Sequence, residues 1–423
     1  MGKGGEAMIK IDEIGEIPQL IGNSIAFRDG DSFFLYSQNN KKVAKVSSWN
    51  KEVLDQLQKG GFFDALANQI TQCGINKASN LMLLLGRDCY MACKYCSVNA
   101  GVSNKNMSVE LADKAIGLYL DTSPAHPRIT LFSGGEPTTN ASVIKHVVDK
   151  YKGVSWILTT SGAVSRLFLE WLIEKKVTIG FSLDGPPHIQ NFLRPLRNGM
   201  PSSKIVENNI RAWHKKTGKH ATVRTTITSD TILLIDEILD YFDKLCIGTV
   251  HLEMLSRIGR AASTDAKLIL QPPTSQEWIA VVVKALNWGE KRGKRIKIGA
   301  LNYFFNPQLS SYCGPMGGQT IVINHEGFLT ACSEVVDETS EYWNVFMIGK
   351  INQVLKINKE DLGSQYWKYG KACENCFAKY ICRGGCAHKN LIKTGNISEP
   401  DQQYCQFMKS IIPILIMRIF ANK

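Results

Sequence analysis

Three cysteines with the spacing CxxxCxxC are the residues of this sequence best suited to metal chemistry. They are Cys89, Cys93 and Cys96. Thiolates at this spacing can bind three irons of a cubic iron–sulfur cluster, which leaves the fourth iron open to a small molecule. The alternative is a zinc knuckle that takes its fourth ligand from a distant part of the chain.

A second group of cysteines lies in the last third of the chain. Its seven members are Cys313, Cys332, Cys373, Cys376, Cys382, Cys386 and Cys405. Tetrahedral sulfur sites accept zinc or iron, so a zinc ribbon and one or two iron–sulfur clusters are both open interpretations. The two other cysteines of the chain, Cys73 and Cys246, are interpreted as ordinary thiols.

The composition favours a compact protein in a compartment that keeps thiols reduced. Of 423 residues, 44% are hydrophobic and 21% charged, and no stretch has the pattern of a signal peptide or of a membrane span. We therefore expect a cytoplasmic protein with no membrane partner, whose cysteines bind metal instead of forming disulfides. The apolar run 411–420, interrupted by Pro413 and Arg418, predicts a packed terminal helix.

A formal net charge of +12 favours anionic partners. No basic motif with interleaved aromatic residues accompanies this charge, so nucleic acid is not an expected partner. The densest basic run, 291–297, follows a helical pattern, and we interpret it as a solvated face.

The elements that must position the first cysteines form an alternating pattern from residue 80 to about residue 299. Short apolar runs alternate with amphipathic helices, which is typical of βα units around a parallel sheet. The predicted strands are Leu81–Leu85, Ile129–Phe132, Val154–Thr159, Val177–Leu183, Thr222–Ile227 and Thr249–Met254. The predicted helices between them include Ser108–Leu120, Ala141–Tyr151, Ser165–Lys175 and Ile205–Lys216. The predicted fold is α/β, a partial (βα)6 TIM-like barrel.

This pattern divides the chain into three predicted domains: an N-terminal module 1–78, the barrel 79–300 and an irregular cysteine-rich domain 301–423. The N-terminal module is predicted to be a small α+β, winged-helix-like unit. Its predicted strands are Ser32–Tyr36 and Lys42–Ser47, and its predicted helices are Lys51–Gln58 and Phe63–Thr71. Ligands collect at the carboxyl ends of parallel strands, and the distinctive residues of the barrel follow its first four strands.

With Phe132-Ser-Gly-Gly-Glu-Pro137 after the second strand, the cysteine triplet resembles the radical S-adenosylmethionine (SAM) superfamily. The resemblance implies a [4Fe–4S] cluster on Cys89, Cys93 and Cys96, whose open iron binds SAM for cleavage to a 5′-deoxyadenosyl radical. It also implies further SAM-binding residues. The first four are Tyr95 against the adenine, and Gly134, Gly135 and Glu136 at the methionine end.

Three further segments extend this resemblance. Thr159-Thr-Ser-Gly162 matches a polar turn that implies a SAM contact from Ser161. The segment Phe181-Ser-Leu-Asp-Gly-Pro186 resembles an SLDGP element of one large branch, and it suggests Ser182 and Asp184 as polar contacts to ribose or substrate. Arg194 matches an arginine of that branch and is expected to pair with the SAM carboxylate, a geometry that guanidinium groups suit.

The second group of cysteines resembles the SPASM domain, which carries auxiliary iron–sulfur clusters. The resemblance assigns Cys373, Cys376, Cys382 and Cys405 to one cluster, and Cys313, Cys332 and Cys386 to the other. The second set has one thiolate fewer than fully ligated members. Sulfatase-maturing relatives place an acidic residue directly after the second cysteine of the motif, whereas Ser333 follows Cys332 here.

The resemblance favours a peptide maturase over the other functions considered. Such an enzyme abstracts hydrogen from a ribosomally made precursor peptide and forms a thioether or carbon–carbon crosslink, with an electron donor such as flavodoxin or ferredoxin. The N-terminal module would then resemble a leader-peptide recognition domain. The alternatives are oxidation of a protein side chain to formylglycine, modification of a small cofactor precursor, and a zinc-stabilised binding protein without catalysis.

Overall fold

The computed structural model of the chain describes residues 18–21, 24–38, 41–63, 78–263, 270–301, 312–351 and 370–421. The chain forms two compact units. One comprises residues 1–71, 300–312 and 368–423, and the other comprises residues 72–299 and 313–367. These units differ from the three linear domains predicted above, because the segment 301–423 contributes to both of them.

The N-terminal part of the first unit is a four-stranded antiparallel sheet in the order β1-β2-β3-β4. Its strands are β1 (Gln19–Ile21), β2 (Ser24–Asp29), β3 (Ser32–Ser37) and β4 (Val43–Val46). Helix α1 (Lys51–Lys59) follows and begins at Asn50, whose side chain accepts from the backbone N–H of Val53 at 3.0 Å. The predictions of β3, β4 and α1 are confirmed, whereas β1 and β2 were not predicted. The second predicted helix lies outside the described residues from residue 64 onwards.

The second unit contains a ten-stranded sheet in the order β11-β10-β9-β8-β7-β6-β5-β12-β13-β14. Strands β5 to β12 pair in parallel, and β13 and β14 continue the sheet antiparallel. The strands are β5 (Asn80–Leu84), β6 (Arg128–Phe132), β7 (Ser155–Thr160), β8 (Thr178–Ser182), β9 (Ala221–Ile227), β10 (Ile247–Met254), β11 (Arg295–Ile298), β12 (Thr320–Ile323), β13 (Phe328–Thr330) and β14 (Met347–Lys350).

Helices connect the parallel strands of this sheet. They are α2 (Val109–Leu120), α3 (Ala141–Lys150), α4 (Arg166–Glu174), α5 (Pro187–Leu193), α6 (Ser203–Thr217), α7 (Ile235–Lys244) and α8 (Ser275–Arg292), and the short α9 (Trp343–Phe346) precedes β14. The six predicted strands and four predicted helices all occur within two residues of their predicted bounds. The prediction of a parallel α/β fold is confirmed.

Strand β11 corrects the interpretation of the basic run 291–297 as a solvated face. The first residues of the basic run end α8, but Arg295–Ile298 is a strand that pairs in parallel with β10. The isoleucines of this Arg-Ile-Lys-Ile sequence give it the period-2 pattern of a half-buried strand, which its high charge obscured.

The C-terminal part of the first unit contains α10 (Lys379–Cys382), α11 (Ala387–Thr394) and α12 (Gln402–Ala421). Helix α12 packs against β3 and β4, and the ring of Phe420 meets the ring of Phe34 edge-on at 5.1 Å. Because Ile411, Ile412 and Ile416 are fully buried, the prediction of a packed terminal helix is confirmed. None of the helices in the described residues is long and apolar enough to cross a membrane.

Candidate active site

The loop that carries Cys89, Cys93 and Cys96 begins after β5 and is paired to the segment that follows α5. The backbone N–H of Ala92 donates to Pro195 O at 2.8 Å, and that of Lys94 donates to Leu193 O at 2.9 Å. A bridge between Met91 and Leu196 completes this pairing. The backbone of the cysteine loop is therefore fixed by strand-like hydrogen bonds to a segment about 100 residues later in the chain.

Arg260 is a second support of this loop, and sequence analysis missed it. Its Nη1 donates to Cys93 O at 2.8 Å, and its Nη2 donates to Ala100 O. The preceding Gly259 has φ +59°, and a Cβ there would lie 2.3 Å from Cys96 O, so only glycine fits. The available signal was a Gly-Arg pair shortly after the end of a barrel strand.

The Gly-Gly-Glu turn after β6 lies directly against the start of the cysteine loop. A Cβ at Gly135 would lie 2.0 Å from Asp88 O, and one at Gly134 would lie 2.7 Å from Val336. The backbone N–H of Glu136 donates to Asp88 O at 2.9 Å. These glycines are therefore required for the close approach of the turn to Asp88 and Val336.

Glu136 ties this turn to the residues that follow β7. Its Oε1 accepts from Thr160 Oγ1 at 2.7 Å and from Thr138 Oγ1 at 2.8 Å, and its Oε2 accepts from the backbone N–H of Ser161 at 2.7 Å. The side chain is 2% exposed, so this carboxylate holds two site loops together. The placement of Glu136 at the methionine end of SAM stays a prediction.

Tyr95, Asp184 and Arg194 form a connected polar group at the carboxyl ends of β5 and β8. The Tyr95 hydroxyl donates to Asp184 Oδ2 at 2.5 Å and accepts from Arg194 Nη1 at 2.6 Å. Asp184 Oδ1 accepts from the backbone N–H of Thr226 at 3.0 Å. Burial raises the pKa of Asp184, and the Arg194 cation opposes that shift.

Among the predicted SAM-binding residues, Arg194 has incomplete hydrogen bonding and Ser182 stands apart from this group. Arg194 Nε is buried without a hydrogen-bond partner among the described residues, so it has capacity for an anionic oxygen of a ligand. Ser182 is buried at the end of β8, where it pairs in register with Arg224 of β9.

The chemical state of the three cysteines fits a metal cluster. All three are free thiols, and the described residues form no disulfide. Burial raises the pKa of Cys89 to about 12 and also raises that of Cys93, so neither thiolate forms readily without a compensating cation. Iron supplies that charge and deprotonates coordinating thiols outright.

The four cysteines predicted for one auxiliary cluster lie together in the first unit. Cys373, Cys376, Cys382 and Cys405 line one cavity, and burial raises the pKa of Cys382 above its usual range. Cys313 and Cys332 belong to the second unit, so the other predicted ligand set stays a prediction. Among the described residues, no three His, Cys, Asp or Glu side chains are grouped to hold a single metal ion.

These observations describe a parallel α/β protein with a cysteine loop at the carboxyl edge of its sheet. Residues 83–246 match the family model of the radical SAM superfamily. The chain therefore contains a radical SAM domain, the domain of enzymes that catalyse radical-based modifications, and its fold is the partial barrel of that superfamily. Enzymes of this superfamily use SAM and a [4Fe–4S] cluster.

Known proteins similar to the chain include anaerobic sulfatase-maturating enzymes. A cysteine-type anaerobic sulfatase-maturating enzyme of Clostridium perfringens is 22% identical over 361 residues, covering 78% of this chain and 94% of the relative. The structure of native anSMEcpe with bound AdoMet and Cp18Cys peptide matches with a TM-score of 0.64 at 20% identity, covering 81% of this chain and 99% of that one. Streptococcus suis SuiB bound to precursor peptide SuiA matches with a TM-score of 0.58 at 14% identity, covering 92% of this chain and 100% of that one.

Proposed function

We propose that this protein is a radical SAM peptide maturase that modifies a ribosomally made precursor peptide by forming a thioether or carbon–carbon crosslink. The observation that carries the proposal is the extent of the structural match. The fold of SuiB, solved with a precursor peptide, covers 92% of this chain, whereas that of anSMEcpe covers 81%. Both of these proteins were solved with a peptide bound, which supports a peptide substrate, and the broader coverage by SuiB supports a precursor peptide.

The proposed SAM site is built from residues that the structure brings to the carboxyl edge of the sheet. Cys89, Cys93 and Cys96 would hold the [4Fe–4S] cluster, and Arg194 would donate from its buried Nε to the SAM carboxylate. Tyr95 holds Arg194 in place through its hydroxyl. When bound, the cluster and SAM supply a 5′-deoxyadenosyl radical that abstracts a hydrogen atom from the substrate.

An auxiliary cluster is proposed for the cavity lined by Cys373, Cys376, Cys382 and Cys405. Four thiolates converging on one cavity suit a fully ligated iron–sulfur cluster. A crosslink between two closed-shell residues removes one hydrogen atom and then one electron with one proton, and a cluster held by these cysteines would supply an acceptor for the electron while the proton passes to solvent. The second ligand set, Cys313, Cys332 and Cys386, stays a prediction from the sequence. A one-electron donor of the flavodoxin or ferredoxin class would start each turnover in the cytoplasm.

Formylglycine formation is the second candidate function. The relative from Clostridium perfringens supports it, because the match spans 94% of that sulfatase-maturating enzyme. Ser333 opposes it, because it stands where sulfatase-maturing relatives carry an acidic residue.

The test is anaerobic reconstitution with iron and sulfide, followed by addition of SAM, dithionite and a panel of synthetic peptides. Mass spectrometry would measure 5′-deoxyadenosine and the peptide mass. The expected result is loss of two hydrogens from a precursor-type peptide with fragment ions that show two residues joined, because oxidation of serine to an aldehyde also removes two hydrogens. Conversion of a cysteine or serine side chain to an aldehyde would instead establish the second candidate. A colourless, zinc-rich protein without SAM cleavage would contradict both.

A further inference from the structure

A row of polar side chains crosses four neighbouring strands in the half of the sheet farthest from β12. Ser182 of β8 pairs in register with Arg224 of β9. Arg224 pairs with His251 of β10, and His251 pairs with Lys297 of β11. Residues in register across parallel strands project from the same face of a sheet, so these four side chains share one face.

The packing of β11 identifies this face. A Cβ added to Gly289 of α8 would lie 2.8 Å from Ile296 Cγ1, so Ile296 is on the face that α8 covers. Successive residues of a strand alternate between faces, so Lys297 lies on the opposite face, away from α8. Val250, the partner of Ile296 in register, is fully buried, whereas its neighbour His251 is partly exposed. The row therefore lies on the face that the crossover helix leaves open.

The charges along the row are not balanced within it. Glu253, two residues after His251 on β10, lies beside two members of the row: its Oε1 is 3.3 Å from Arg224 Nη2 and 3.0 Å from His251 Nε2. Lys297 forms no ion pair with a carboxylate in the parts of the chain that the structure describes. Burial lowers the pKa of Lys297, and the nearby Arg295 lowers it further. A partly desolvated cation without a counter-ion is unfavourable unless a ligand supplies one.

Two members of the row are accessible from solvent. The side chain of Arg224 is 48% exposed and that of His251 is 25% exposed, so a ligand can reach the row from solvent. Arg224 and Lys297 flank His251 on the two neighbouring strands, and their long side chains suit a carboxylate held above it, since arginine offers a planar fork and lysine a movable point charge.

We propose that the row formed by Arg224, His251 and Lys297 is a carboxylate-binding subsite that holds an aspartate or glutamate side chain of the peptide substrate. This inference rests on the proposed function and specifies it further, because it predicts an acidic residue near the modified position. Glu253 limits the affinity of the subsite, since it already neutralises part of its positive charge.

The test measures binding and needs no turnover. The reconstituted full-length enzyme, with SAM but without reductant, is titrated against fluorescein-labelled Gly/Ser peptides. One peptide carries several glutamates, and its counterpart carries glutamines at the same positions. Fluorescence anisotropy should show that the wild type binds the glutamate peptide about fivefold more tightly or better. Lys297→Gln and Arg224→Gln should each remove most of that preference.

Two further variants separate the subsite from general effects. Glu253→Gln removes the competing carboxylate, so it should increase the preference for the glutamate peptide, a direction that misfolding would not produce. Lys291→Gln, at the exposed end of α8, changes the net charge equally and should keep the wild-type preference. Equal losses in Lys291→Gln and Lys297→Gln would overturn the proposal, because the whole protein's charge would then account for binding.

The failure of the subsite and that of the proposed function are distinguishable. A wild type that cleaves SAM and modifies peptides without any preference for glutamate would overturn the subsite alone. A glutamate preference that Lys297→Gln abolishes, in an enzyme that modifies no peptide, would support the subsite and count against the maturase function. If Lys297→Gln weakened the binding of SAM itself and left the peptide preference unchanged, the row would belong to the SAM site and the proposal would be wrong.

Discussion

The cysteine loop after β5 and the cysteine segment that begins at residue 370 are held in different ways. Distant residues hold the first: Pro195 O and the Arg260 guanidinium bond to its backbone, and Asp88 O at its start accepts from Glu136 N. Hydrogen bonds in the second are mostly local, such as Cys373 N to Gly370 O and Cys382 N to Ala378 O. The fold thus positions the first set of thiols before iron binds, whereas the second set depends more on what its thiols bind.

The largest effect is expected from removing all three thiols of the first loop. Cys89/Cys93/Cys96→Ala should abolish 5′-deoxyadenosine formation, because SAM then has no iron to bind, while far-UV circular dichroism stays close to that of the wild type. The thiols of Cys89 and Cys96 accept from the backbone N–H groups of Met91 and Ala100, but the hydrogen bonds that join the loop to Leu193, Pro195 and Arg260 use backbone atoms of the loop, which is why the fold should persist. A collapse of the secondary structure would show that the loop, too, depends on its metal.

The second largest effect is expected in the cysteine segment that begins at residue 370. Cys376→Ser or Cys382→Ser should lower the iron content and make the chain after residue 370 sensitive to trypsin, which cleaves after Lys379 and Arg383. The parallel sheet should resist cleavage in the same digest. Cys246→Ser, outside both cysteine groups, is the matched control. Equal protection of all three variants would contradict the view that metal holds this segment.

A smaller effect is expected at the support that the sequence analysis missed. Arg260→Gln removes charge-assisted hydrogen bonds to Cys93 O and Ala100 O, which should cost about 2–3 kcal/mol of unfolding free energy and slow cluster loading. Chemical denaturation and iron analysis would measure both quantities. Arg257→Gln is the control, because the only hydrogen bond of Arg257 within the described residues is a 3.5 Å bond from its Nε to Ala261 O. Matching losses in the two variants would argue against a specific role for Arg260.

The smallest effect is a pH dependence at Asp184. Burial raises its pKa in the folded protein, so the folded state holds this proton more tightly than the unfolded state. The unfolding free energy of the wild type should therefore lose a contribution as the pH rises from the ordinary aspartate value of about 3.9 through the raised value. Asp184→Asn lacks this loss, so the unfolding free energy of the variant minus that of the wild type should increase with pH. Parallel curves would refute a raised pKa.

Much of the sheet could be predicted from the sequence, and the exceptions have a physical reason. Strands β5 to β10 are short apolar runs between amphipathic helices, and this alternation reflects burial under helices. Strand β11 was missed because charged residues occupy one face of it, and β12 because it follows the barrel in sequence but pairs with β5. Strand pairing between residues 240 apart leaves no signal in either segment alone.

For the site, the sequence determined which groups can do chemistry. The spacing of Cys89, Cys93 and Cys96 and the Gly-Gly-Glu turn were sufficient to identify the superfamily, because metal ligation and close backbone approach demand particular residue types at fixed positions. The sequence also indicated that Asp184 and Arg194 lie near the ends of the strands.

Only the tertiary structure decided what these groups contact. It showed the Glu136 carboxylate bonded to Thr160 and Ser161, and Tyr95 placed between Asp184 and Arg194. Arg260 and Lys297 are ordinary basic residues in the sequence, and they gain significance from neighbours that are distant along the chain. Hydrogen bonds and charge pairs depend on positions in space, and the register of the parallel strands sets those positions after the chain has folded.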